Sequence, residues 1–199
     1  MEGDSWGLPG GLRAEVWAAY GEAHRAYHGV GHLEAVLARH AEVARAVGWE
    51  RPREALLALL FHDVVYVPGE GDNEARSAEV ARASLARWWP DAGVDVEEVA
   101  RLVLLTARHG RLARADVTRD EALLLDCDLA SLGGTAEEYD AYEAGVAREY
   151  AALPPEVYRA GRRRFLEGLL QKERLFLSDF FHARCEAAAR AHLRRVLAV

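Results

Sequence analysis

Apolar residues recur every three or four positions along nearly all of the sequence, and no stretch alternates apolar with polar long enough to make a half-buried strand. That period matches the turn of an α-helix, which confines the chain to architectures that pack helix on helix. Leu33, Val36, Leu37, His40, Val43, Ala44 and Val47 line one stripe that stops at Gly48. Pro52 then opens a helix predicted to carry Leu56, Leu59, Leu60 and Asp63. Val80, Leu85 and Trp88 form a further stripe stopped before Pro90, and Val96, Val99, Leu102, Val103 and Thr106 form another. A helix over Leu123 to Leu132 gives way to Gly133-Gly134-Thr135, whose threonine can pair with Glu138 in a capping box. Pro154-Pro155 starts the next helix, and Ser178 or Asp179 caps the last. The expectation is an all-α helical bundle in one domain over residues 1–199, with any metal site between helices.

Four ionisable groups interrupt these apolar runs: His32, the adjacent pair His62 and Asp63, and Asp128. Neutral imidazole nitrogen and carboxylate oxygen are both good ligands for borderline divalent cations. Neighbouring side chains on a helix diverge by about 100°, so His62 and Asp63 face one ion only if it sits close to the pair and other helices supply the remaining ligands. His28 lies four residues before His32, on the same face if both are helical. Asp126 and Asp128 lie about 200° apart on an unbroken helix, so only one of them can face the ion.

The wider context of these residues is specific. The chain reads Arg25-Ala26-Tyr27-His28-Gly29-Val30-Gly31-His32, then Leu60-Phe61-His62-Asp63-Val64-Val65-Tyr66 and Asp72-Asn73-Glu74-Ala75-Arg76-Ser77. Thr106-Ala107-Arg108-His109, Leu125-Asp126-Cys127-Asp128-Leu129-Ala130, Arg148-Glu149-Tyr150 and Gly161-Arg162 follow. This succession resembles the HD superfamily of metal-dependent phosphohydrolases. Over nearly the whole chain it is similar to small bacterial proteins described as predicted HD-superfamily phosphohydrolases, and its Tyr-His-x-x-x-His segment is similar to the cyclic nucleotide phosphodiesterase branch.

The resemblance implies an HD-type bundle in which His32, His62, Asp63 and Asp128 bind a divalent metal, with Mn, Mg, Co, Ni, Fe and Zn all left open. It assigns His28 the protonation of the leaving oxygen, and Asp63 or Asp128 would orient the attacking water. Glu74, after the Gly69-Glu70-Gly71 loop, could be a general base or simply an acid in the first turn of a helix. Asp128 is preferred to Asp126 because Leu129 matches the residue that follows the ligand in the phosphodiesterases. Asp126 is then expected to orient a ligand histidine. Arg25, Arg148 and Arg162 match recurring positions and could grip phosphate bidentately or equally serve as buried ion-pair partners. His109 could hold a second metal, contact phosphate or simply end a helix. The activity so implied is hydrolysis of a small phosphate ester, with nucleotides as candidates. The alternatives are a non-catalytic nucleotide-binding HD module and a di-iron oxygenase of the HD fold.

Composition narrows the partners. A net charge of -7 over 199 residues argues against a nucleic-acid polymer but permits a small phosphorylated substrate in a locally cationic pocket. No apolar run reaches the roughly 18 residues that span a bilayer. Met1-Glu2-Gly3-Asp4 lacks the charged and apolar regions of a signal peptide, so a cytoplasmic protein with no membrane partner is expected. Cys127 and Cys185 are read as reduced core residues, with Cys127 as an outside candidate for a ligand. A homo-oligomer is compatible with everything in the sequence.

Overall fold

Helix boundaries fall where the local chemistry stops the backbone. The computed structural model describes residues 6–198, and among these it contains nine α-helices and no strand. They are α1 Gly10–Tyr20, α2 Val30–Ala46, α3 Pro52–Phe61, α4 Asn73–Trp88, α5 Val96–Thr106, α6 Arg119–Leu129, α7 Ala136–Glu149, α8 Pro155–Gln171 and α9 Asp179–Leu197. Gly48, at φ +73°, takes the left-handed conformation that follows α2. Pro52 and Pro155 sit in the first turns of α3 and α8. Thr135 accepts from the Glu138 amide while Glu138 accepts from that of Thr135, so the anticipated capping box is present. Thr118 and Glu121 form a second box at the start of α6. Ser178, rather than Asp179, caps α9 through the Phe181 amide. The Met1 to Asp4 segment lies outside the described residues.

α3 is the centre of the packing. Ala55 and every residue from Leu57 to Phe61 are buried, and α2, α4, α5 and α6 all pack against this helix. One cluster of buried apolar side chains runs through all nine helices; each large aliphatic residue so buried contributes about 1.5–3 kcal/mol. Phe176 and Phe181 belong to this core, and both cysteines are free thiols. α8 is different: only Leu166 and Leu169 of its seventeen residues are buried, so it flanks the bundle and leans on α9. No helix among the described residues is long and apolar enough to cross a membrane.

Candidate metal centre

α3 ends at Phe61, and that stop brings the His-Asp pair together. His62 keeps helical dihedrals as the C-terminal cap, but Asp63 lies in the turn that follows rather than on the helix expected to carry it. Both side chains can therefore reach one point, which an unbroken helix would make difficult. The turn beyond this stop is held by Arg25, whose guanidinium donates to Asp63 O at 2.6 Å and Val64 O at 2.9 Å, and also to His28 O in its own loop at 3.1 Å. Its Nε donates to Glu22 at 3.0 Å. Arg25 thus ties the turn before α2 to the end of α3; with its donors engaged this way, it is not free to grip phosphate. Tyr20, at the end of α1, accepts from the Asp63 amide at 3.2 Å.

His32, in the first turn of α2, joins this pair, and Asp128, near the end of α6, lies beside them. His32, His62 and Asp63 each offer one ligand atom within 4.8 Å of the others, a group that could hold a metal ion. His32 Nε2 lies 3.1 Å from His62 Nε2 and 3.7 Å from Asp63 Oδ2, and His62 Nε2 lies 3.2 Å from Asp63 Oδ2. Asp128 Oδ1 stands 3.3 Å from His32 Nε2 and 3.5 Å from His62 Nε2. Ligands bound tetrahedrally at about 2.1 Å are separated by roughly 3.4 Å, so these spacings suit a first-row ion. The donor set also fits in chemistry. His62 Nδ1 meets Leu59 O at 2.8 Å, which turns Nε2 toward the cluster, where a bound cation would take the place of its proton.

The electrostatics favour positive charge at this point. Burial alone would raise Asp63, but His62 holds its carboxyl down to about 2. Burial acts the same way on Asp128 and is outweighed by His109, His32 and His62, which keep it well below the usual carboxylate range. Burial depresses His62, yet Asp63 and its other neighbours push it well above an ordinary histidine. Burial lowers His32.

A cavity of about 600 Å³ opens beside the cluster, lined by His28, His62, Asp63 and Asp128 among others. His28 lies in the turn before α2, not on that helix with His32 as the spacing suggested. Its Nδ1 is 2.7 Å from Glu149 Oε2, at the end of α7, and its ring stacks on Tyr66 at 4.2 Å. Glu149 is a hub: it also accepts from the Tyr27 and His28 amides at 2.7 and 2.8 Å and from the Tyr66 hydroxyl at 2.9 Å. Burial raises this carboxyl, but the bonds from His28 and the two amides bring it down to about 2. Gly145 allows the approach, since a Cβ there would meet Tyr27 Cβ at 2.9 Å and Ala26 O at 3.3 Å.

No protein-family model, curated protein or solved structure matches this chain. The site is therefore read from its own geometry, and the remaining residues singled out in the sequence divide clearly. Glu74 lines the cavity. Arg162 lines it too, but its Nε and Nη2 donate to Glu143 at 3.1 and 2.6 Å. Arg148 is exposed and faces a separate groove of about 420 Å³ that reaches His32 and Asp128 from the side of α2. His109 Nδ1 lies 3.7 Å from Asp128 Oδ2, while its Nε2 is buried without a hydrogen-bond partner.

Asp126 does not orient a ligand histidine as expected. Its carboxylate accepts from the Leu177 amide at 2.8 Å, the Ser178 amide at 2.7 Å and the Ser178 hydroxyl at 2.6 Å, so it anchors the segment leading into α9. Burial pushes this carboxyl up to about 6 against those bonds. Cys127 is buried and takes no part in the ligand cluster. Glu149 and the tyrosines around the cavity were not anticipated. The one signal in the sequence is the Arg148-Glu149-Tyr150 segment, where the acid lies between a cation and an aromatic ring.

Proposed function

We propose that this chain is a metal-dependent phosphohydrolase of the HD type, acting on a small phosphate ester. The observation that carries the reading is the common cavity: His62, Asp63 and Asp128 line the same space as His28, a histidine whose Nδ1 is engaged by a buried carboxylate. When bound there, a divalent cation supplies Lewis acidity toward a phosphoryl oxygen and makes water acidic enough to react near neutral pH. His28, oriented by Glu149, offers its other ring nitrogen to the cavity and donates a proton to the departing alkoxide. Asp63 joins the cluster through Oδ2 and can present its second oxygen to the attacking water. Glu74 lines the cavity with no ion-pair partner among the described residues and can serve as general base.

Phosphate release from a panel of esters tests the reading, using metal-stripped protein to which Mn, Mg, Co, Ni, Fe or Zn is returned singly. Release restored by at least one ion and lost in His28→Ala is expected. Ester binding without release under any ion would favour the non-catalytic nucleotide-binding module. One observation favours a second reading, the di-iron oxygenase: His109 stands beside the Asp128 oxygen that does not face His32 and His62. Two irons per chain with ester-independent dioxygen consumption would support it.

A further inference from the structure

The cavity beside the metal centre has two kinds of wall. At about 600 Å³ it falls within the roughly 300–1,000 Å³ usual for small-molecule sites, so a phosphoryl group at Asp63 and Asp128 fills only its inner end. Much of the rest is aromatic: Tyr66, Tyr142, Tyr150 and Tyr158, four of the seven tyrosines in the chain, line it together with Phe165. Leu153, Val157 and Phe165 on this lining are 41%, 52% and 44% exposed, and they are three of the six exposed large hydrophobic residues among those described. Apolar surface gathered at one cavity, rather than scattered, marks a place where a ligand completes the burial.

Charge on the lining has mainly one sign. Glu70 and Glu74 face the cavity without an ion-pair partner among the described residues. Arg162, the only arginine on the lining, is held by Glu143. A divalent cation at the cluster offsets Asp63 and Asp128, and the outer cavity remains negative.

We propose that this cavity takes esters with a single phosphoryl group on an apolar, ring-bearing alcohol, and that Glu70 excludes a second anionic group. The phosphoryl end of this proposal rests on the hydrolase reading, whereas the selectivity of the outer cavity concerns binding alone. Calorimetry on the Mn²⁺-loaded chain with three non-hydrolysable ligands tests it: naphthylmethylphosphonate, ethylphosphonate, and the naphthyl compound with a second phosphonate at the far end of its ring. The ring compound should bind about tenfold or more tighter than ethylphosphonate, and Phe165→Ala should narrow that gap. The second phosphonate should weaken binding by about tenfold, and Glu70→Lys should recover most of the loss. Equal binding of the ring and ethyl compounds, a second charge that costs nothing in the native chain, or no binding at all would overturn the proposal. If these preferences appear but the matching esters release no phosphate, the hydrolase reading fails and the selectivity stands.

Discussion

Asp126 and Asp128 show how two like residues on one helix acquire unlike tasks. Their separation of about 200° turns Asp128 toward the histidines and Asp126 toward the start of α9. Asp128→Ala should therefore empty or severely weaken the metal site. Asp126→Ala should keep its ion but lose about 2–4 kcal/mol of stability, because buried amides at Leu177 and Ser178 lose their acceptor. Metal content and thermal unfolding of the two purified variants distinguish these outcomes. Glu149 supplies a pH-dependent counterpart. Its folded pKa of about 2 lies below the ordinary 4.5, so its contribution is complete above about pH 4.5 and is lost as pH falls toward 2. The stability gap between the native chain and Glu149→Gln should be on the order of 2–3 kcal/mol near neutrality and should shrink across that interval. A gap that widened on acidification would contradict the assignment.

At the scale of elements, the site depends on where helices end. α3 stops just before His62, α2 begins two residues after His28, and α7 closes on Glu149, so the groups named for chemistry gather at helix termini. Gly145 sets how closely α7 approaches the turn bearing His28. Gly145→Ala should cost about 1–3 kcal/mol through overpacking against Tyr27 and should reduce turnover more than metal content. Unchanged turnover in a stably folded variant would show that this contact does not position His28. Helix period and capping residues made most of these elements legible in the sequence. The end of α3 was not, because Asp63 continues the spacing of Leu56, Leu59 and Leu60, and the turn that breaks it is held by Arg25 from thirty-eight residues away. The His28–Glu149 contact spans 121 residues and leaves no local pattern to read. Spacing alone also left Asp126 and Asp128 open until their partners were visible.

For the whole molecule, two carboxylates and two histidines meet between α2, α3 and α6, so an ion bound there would couple its binding to folding. An ion held only by the folded chain stabilises it by about 2.7 kcal/mol at one hundred times its dissociation constant. Adding a suitable divalent ion to chelator-treated protein should raise the unfolding temperature, and the combined His32→Ala, Asp128→Ala variant should show no such rise. The most direct measurement is anomalous diffraction from Mn²⁺-soaked crystals of the native chain. The account predicts a strong peak among His32 Nε2, His62 Nε2, Asp63 and Asp128, with bonds of roughly 2.0–2.3 Å. No peak at full Mn²⁺ loading, or a peak ligated by Asp126 instead of Asp128, would contradict it.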